Sequence, residues 1–289
     1  MVVSVLPGRG ARAGVWEMAE TGRNTFHAAP QHQPLLREVG LDAEAVFGRA
    51  DVVAWRKLPD RENCTLDAER ADGTPVRLHV KRYPASAPGT PAADEVRGIE
   101  ALQRAGIPTV PLVGWGSLAD GRSFLVTLDL AGYRDAEKLV ASGAAAFADL
   151  LEPTADVAAR LHEAGLHHRD LYLCHFFARL AEDGKPELAL IDAARVRPLP
   201  RFFRNRWVVK DLAQFWYSTT KLPAVTDGQR EAWLARYAAQ CGLTGTASLR
   251  RAVERKARWI ARHDRKLNAE QPTRNVSLPA AADGAGGGS

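Results

Sequence analysis

The chain is poor in cysteine: Cys64, Cys174 and Cys241 are its three, an odd number at wide spacings. They suit neither a disulfide framework nor a zinc site, and reduced thiols in a cytoplasmic protein are expected. No apolar run approaches the roughly eighteen residues needed to cross a bilayer. Residues 1–6 are apolar but too short for a signal-peptide core, and no basic stretch precedes them, so export is not expected. No internal repeat is visible. Acids are the minority charge, 34 against 39 Lys and Arg, for a net charge of +5. That balance favours an anionic partner such as a nucleotide, a phosphorylated glycan, a membrane surface or nucleic acid.

What is present is the composition of an ordinary globular protein, 46% hydrophobic and 25% charged, in a chain long enough for two lobes around one cleft. Residues 1–45 read as an N-terminal extension. Up to about residue 33 it is rich in Gly, Ala, Pro and Arg without periodicity, and is expected to be flexible. From 46 to 132 strand patterns dominate, at 52–58, 64–70, 76–83 and 123–128, with one helix at 92–105 that Gly106 and Pro108 stop. Ala71-Asp72-Gly73-Thr74 predicts a hairpin turn, because Asp-Gly accepts positive φ values. From 133 to 275 the pattern is mainly helical, at 149–164, 207–220, 230–240 and 248–267, with a short strand at 188–191. Residues 276–289 end in Gly-Ala-Gly-Gly-Gly-Ser and are expected to be a flexible tail. A small β-rich lobe followed by a larger helical lobe is a bilobal α+β arrangement, with the cleft between them.

Four features stand in order along the chain. Lys81 ends the apolar strand Val76-Arg77-Leu78-His79-Val80-Lys81, and Glu95 lies on the helix after it. His168-Arg169-Asp170 follows a helix and its Gly stop, and Leu188-Ala189-Leu190-Ile191 delivers Asp192, 22 residues after Asp170. Singly each is ordinary. A strand-end Lys or a helix Glu is mostly a solvated charge, His-Arg-Asp arises by chance, and Asp after a strand is commonly a cap. In this order they are the parts of phosphoryl transfer from ATP. A strand cation holds phosphates, a helix carboxylate orients that cation, one carboxylate sits beside the attacking hydroxyl, and another holds Mg²⁺.

The segment Leu161-His162-Glu163-Ala164-Gly165-Leu166-His167-His168-Arg169-Asp170-Leu171-Tyr172-Leu173-Cys174-His175-Phe176 resembles the catalytic segment of the lipopolysaccharide core heptose kinases. With the Kdo kinases these form a protein-kinase-like family. The resemblance runs over about residues 46–220, through Ile191-Asp192-Ala193-Ala194-Arg195 and Lys210-Asp211-Leu212. It implies a protein-kinase-like fold and ATP-dependent phosphorylation of a sugar hydroxyl, heptose or Kdo, in a glycolipid core. By the same resemblance Lys81 contacts phosphates, Glu95 pairs with it, Asp170 is the base and Asp192 the main metal ligand. Glu100 rivals Glu95; Glu95 is preferred because it stands eleven residues before Gly106, as in the family's Glu-to-Gly-Ile-Pro stretch.

Two departures from protein kinases matter. Five residues after Asp170, where an Asn usually binds Mg²⁺, stands His175, an imidazole that is a softer ligand than the ion prefers. It is a second metal candidate, with a hydrogen bond to a phosphate or to Asp192 as the alternative. The phosphate-covering loop is Leu58-Pro59-Asp60-Arg61-Glu62-Asn63, without glycine, so Arg61 or Asn63 is expected to hold phosphate by side chain.

Asp211 stands only 19 positions after Asp192, and no Ala-Pro-Glu-like motif lies between, so a glycan or small acceptor is expected rather than a protein. Arg195, Arg197, Arg201, Arg204, Arg206 and Lys210 occur there with no acid between Arg195 and Lys210. Arg forks bind phosphate and carboxylate bidentately, which makes Arg195, Arg201 and Arg204 candidates for an anionic glycolipid acceptor; the ordinary alternative is a solvated basic surface. The basic helix at 248–267 has an apolar stripe of Leu249, Val253, Ala257, Ile260 and Leu267 and reads as docked on the larger lobe. Peripheral contact with anionic lipid at the inner membrane is its sharper reading. Nucleic acid is not expected. The rivals are another small-molecule kinase of the same fold, such as an antibiotic phosphotransferase, and a pseudokinase that binds through its basic surface. The basic segment argues against the first, and Lys81, Asp170 and Asp192 together argue against the second.

Overall fold

A computed structural model describes residues 23–181 and 184–270. Its small lobe contains β1 (Thr25–Ala28), α1 (Gln33–Glu38), α2 (Ala45–Gly48), β2 (Val53–Leu58), β3 (Arg61–Glu69), β4 (Pro75–Tyr83), α3 (Pro91–Arg104), β5 (Leu112–Ser117) and β6 (Ser123–Leu128). The six strands form one antiparallel sheet in the order β1-β5-β6-β4-β3-β2. Side chains alternate across it with period two. Cys64, Leu66, Leu78 and Val80 face a core closed by Leu35, Leu36 and Val46 of α1 and α2. The register pairs Asn63 with Lys81, and Lys81 alternates with Val80 onto the opposite face. The hairpin turn forms as its Asp-Gly predicts: Gly73 has φ 81°, and Asp72 Oδ1 accepts from the Thr74 N–H at 2.9 Å.

The N-terminal extension read from composition is folded from residue 25 onward, which corrects the expectation of flexibility up to residue 33. Strand β1 pairs with β5, from Thr25 opposite Ser117 to Ala28 opposite Gly114. The pairing depends on glycine. A Cβ on Gly116 would lie 2.0 Å from the Thr25 carbonyl oxygen, so only glycine lets β1 approach. Residues 1–22 and the expected tail at 276–289 lie outside the described residues.

The large lobe follows with β7 (Arg134–Asp135), α4 (Ala136–Ala141), α5 (Phe147–Glu163), β8 (Leu166–His167), β9 (Phe176–Leu180), β10 (Pro186–Leu190), β11 (Arg197–Pro198), α6 (Arg204–Thr219), α7 (Asp227–Gln240) and α8 (Thr246–Glu270). Helix α5 starts at Phe147, so Pro153 lies inside it rather than in its first turn. The core centres on Phe215 stacked on Trp233, with ring centroids 4.0 Å apart. The Trp233 indole N–H donates to Thr154 Oγ1 at 3.0 Å, which satisfies both polar groups in an otherwise apolar interior. Helix α8 buries Val253, Ala257 and Ile260 and packs along α6. Among the described residues no helix is long and apolar enough to cross a membrane.

Candidate active site

Lys81 Nζ donates to Glu95 Oε1 at 2.6 Å and lies 3.4 Å from Asp192 Oδ1. Burial alone would push this ammonium down, but the charges of Glu95 and Asp192 overcome it and hold it above its ordinary value. In return Lys81, against an opposing effect of burial, keeps the Asp192 carboxyl well below the usual carboxylate range. The second oxygen of Glu95 accepts from the buried Tyr83 hydroxyl at 2.9 Å, so the acid is held from two sides. Glu100, by contrast, lies on α3 beside Arg104 at 3.7 Å, away from Lys81.

Asp192 takes a left-handed backbone, φ 60°, and starts a 3₁₀ turn at Ala193–Arg195. That turn presses on α3. A Cβ on Gly98 would lie 1.9 Å from the Ala193 carbonyl oxygen, a backbone atom that cannot swing aside. Gly→Ala inside an open helix normally stabilises by about 0.5–1 kcal/mol, whereas overpacking a closed contact costs about 1–3 kcal/mol. The clash therefore decides the sign. Gly98→Ala is expected to lower stability by about 1–2 kcal/mol, read by thermal unfolding; an unchanged or raised melting temperature contradicts the close contact.

The loop carrying Asp170 is fixed by a polar stripe on α6. Asp211 accepts from the N–H groups of His168 at 2.6 Å and Arg169 at 2.9 Å; Gln214 accepts from that of Leu171 at 3.3 Å and Ser218 from that of Leu173 at 2.9 Å. Arg169 is left-handed, φ 72°, and its guanidinium stacks on Trp207 at 5.2 Å. His168 Nε2 donates to the Ile191 carbonyl at 3.1 Å, tying this loop to the strand end that presents Asp192. His175 Nδ1 donates to the Asp170 carbonyl at 2.6 Å. A carbonyl only accepts, so a proton sits on Nδ1, and Nε2 faces Asp192 Oδ2 at 3.7 Å.

Burial pushes His167 down to about 4 and lowers His168 as well. These imidazoles are neutral when folded and charge more readily when unfolded, so the unfolded chain binds more protons between their folded and unfolded values. Stability must then fall as pH drops below about 6.5. His167 alone is expected to remove about 1.5 kcal/mol between about pH 6.5 and pH 5, checked by urea unfolding across that range, with His167→Gln flattening the slope.

Arg61, Lys81, Glu95, Asp170, His175, Asp192 and Arg195 all line one cavity of about 1180 Å³ between the lobes. Arg195 Nη1 donates to both oxygens of Asp170, at 3.0 and 2.9 Å. Asn63 is buried beside Lys81 and does not reach the cleft wall. Arg201 and Arg204 are not among the residues that line the cavity. The reason is the path of the chain. After Arg195 it turns to pair β11 with β8, and Arg204 donates to the His162 carbonyl at 2.7 Å, in the last turn of α5. The cations that do line the cavity beyond Arg195 are Lys210 on α6, Lys221 just past its C-terminal end and Lys256 on α8, with Trp259 and His263 beside the last. Lys210 and Gln214 also donate to the Arg169 carbonyl. Sequence reasoning missed Tyr83, Gln214 and Lys221, although polar residues at 211, 214 and 218 of an apolar helix were a readable signal.

Sequence comparison adds family evidence. Residues 55–237 match the Lipopolysaccharide kinase (Kdo/WaaP) family, more than half of the chain. Three curated relatives are each a lipopolysaccharide core heptose(I) kinase WaaP. One from Escherichia coli is 30% identical over 152 residues, 48% of this chain and 56% of its own. That of Escherichia coli strain K12 is 28% identical over 67% of this chain and 80% of its own, and that of Pseudomonas aeruginosa is 32% identical over 44% and 52%. The matched region thus spans about half the length of two of these relatives. A solved structure, amicoumacin kinase hAmiN in complex with AMP-PNP, Ca²⁺ and Ami, superposes with a TM-score of 0.47 at 12% identity, covering 77% of this chain and 86% of that one.

Proposed function

The chain belongs to the lipopolysaccharide kinase (Kdo/WaaP) family, and on that premise we propose that it transfers the γ-phosphoryl group of ATP to a sugar hydroxyl, heptose or Kdo, of a lipopolysaccharide core. The observation that carries this reading is the convergence of Asp170, the Lys81–Glu95 pair and Asp192 on one cleft. Lys81 and Arg61 enter it from the sheet and are placed to take the nucleotide phosphates. Arg61 fits the role because its buried Nε has no partner in the protein, and an anion would satisfy it. Asp170 enters from the opposite lobe, where it positions and deprotonates the acceptor hydroxyl. Its present partner Arg195 must turn aside for that hydroxyl, and an anionic group on the acceptor would draw it away.

Among the described residues no cluster of three or more His, Cys, Asp or Glu is arranged to hold a metal. Mg²⁺ does not need one, since it takes one or two carboxylates and completes its shell with phosphates and water. The ionised carboxylate of Asp192 and Nε2 of His175, 3.7 Å from its second oxygen, fit as its protein ligands. When bound there, Mg²⁺ supplies neutralisation of the phosphate charge.

Lys210, Lys221 and Lys256 form the acceptor end of the cleft and would select an anionic core, which brings the protein to the cytoplasmic face of a membrane. Lys210→Glu is expected to raise the acceptor KM about tenfold or more with little change in the ATP KM, because uniform acceptor binding is lost. Steady-state kinetics with a dephosphorylated core glycolipid tests this; an unchanged acceptor KM would remove Lys210 from acceptor recognition.

A further inference from the structure

We infer that residues 200–207 form a membrane-docking element that inserts Phe202 and Phe203 into an anionic lipid surface beside the cleft. Each of these adjacent phenylalanines is 81% exposed, more than any other large apolar side chain described. A pair of bare rings side by side is costly in water and is normally a contact surface. Phe203 also has φ 63°, a left-handed backbone that non-glycine residues adopt rarely, and here no burial of its ring compensates for it. The segment is anchored at both ends. Leu199 N–H donates to the Gly165 carbonyl at 2.7 Å, and Arg204 donates to the His162 carbonyl at 2.7 Å. The rings are thus held out on a fixed turn rather than on a wandering loop.

Charge selects the occupant. Arg201, Arg204 and Arg206 flank the rings, and the sequence has no acid from Arg195 to Lys210. Aromatic rings between arginines suit the boundary between headgroups and acyl chains, where the rings enter the apolar layer and the guanidinium groups meet phosphates. A protein partner would need a concave apolar pocket ringed with acids; a bilayer offers both features everywhere. Position favours lipid too. Arg206 lies near enough to Lys256 that its charge, after burial, helps to lower that ammonium. Lys256 sits 3.6 Å over the Trp259 ring, and both line the cavity. Lys210, another lining residue, stands one helical turn past Arg206, about 6 Å along the axis. Phe202, Phe203, Arg206, Lys256 and Trp259 therefore form one aromatic and basic rim that runs into the acceptor end of the cleft.

The lipid proposal stands on this rim; its use, presenting a lipid-linked sugar to Asp170, rests on the function proposed above. The test keeps the two apart because it needs no sugar. The full chain is sedimented with vesicles of phosphatidylcholine alone and of phosphatidylcholine with phosphatidylglycerol. Wild type should bind the anionic vesicles, release them as salt is raised, and bind neutral vesicles at least about tenfold more weakly. Phe202→Ser with Phe203→Asn should cut anionic-vesicle binding about tenfold or more, with an unchanged melting temperature, since Asn tolerates the left-handed backbone. Phe202→Leu with Phe203→Leu should restore most of it. Equal binding by wild type and the Ser/Asn variant overturns the proposal, as does failure of wild type to bind anionic vesicles. Self-association in place of vesicle binding, lost in the Ser/Asn variant, also overturns it and reassigns the rings to a second copy. Binding without any sugar phosphorylation would sustain the docking element and sink only the proposed function.

Discussion

Replacing Asp170 by Asn should lower the rate of phosphoryl transfer by about 10²–10⁴-fold, the range a positioned general base supplies. Nucleotide affinity should hardly move, because Lys81 and Arg61 approach from the other lobe and touch neither Asp170 nor its loop. The fold should also survive. Asn keeps the shape of Asp, and the polar stripe at Asp211, Gln214 and Ser218 holds the loop by backbone N–H groups that the change leaves intact. Arg195 loses an ion pair, but its side chain is 52% exposed, so solvent screening limits that loss to at most about 1 kcal/mol. The measurements are single-turnover transfer and nucleotide titration on the same preparation. A rate within about fivefold of wild type would remove Asp170 from the chemistry, since no general base is worth so little.

Asp192→Asn should be more damaging, about 10³-fold or more in transfer, and for a different reason. The side chain that would anchor Mg²⁺ loses its charge, and metal-assisted neutralisation of phosphate is worth several kcal/mol. Asn sits in the left-handed region nearly as readily as Asp, so the φ of 60° at this position should persist and the protein should fold. The distinguishing sign is in binding. Wild type should bind ATP more tightly as Mg²⁺ is added, and the variant should lose that dependence while keeping its metal-free affinity. Lys81 should also titrate lower, because one of the two acids that raise it is gone. Mg²⁺-dependent binding that survives the substitution would assign the metal to other ligands.

The bilobal α+β architecture was legible in the sequence, as were the four charges that the structure brings to one cleft. Lys81, Glu95, Asp170 and Asp192 are charged residues at the ends of apolar runs, and such contrasts stand out against a hydrophobic background. The rest was hidden for physical reasons. Leu112-Val113-Gly114-Trp115-Gly116-Ser117 is not among the strands expected from the sequence, where two glycines break the strand pattern, yet it is β5. Its glycines exist to admit β1, whose Thr25 oxygen would sit 2.0 Å from a Cβ at Gly116, so the signal against one strand was the imprint of its neighbour. Charge density in a sequence does not encode direction. The arginines after Asp192 looked like one group, but the β11–β8 pairing takes Arg201 and Arg204 out of the cavity lining, while α6 brings Lys210 to it and Lys221 follows just past the helix end. Tyr83 was passed over as an apolar strand residue; only the fold sets its hydroxyl against Glu95.

The central claim is tested most directly by incubating the purified chain with ATP, Mg²⁺ and a panel of dephosphorylated lipopolysaccharide cores, and weighing the products by mass spectrometry. The expected product is heavier by one phosphoryl group, with the phosphate on a heptose or Kdo hydroxyl, and none forms from the Asp170→Asn protein on the same timescale. No phosphorylated core from folded wild-type protein that binds ATP, or equal product from the variant, would contradict it.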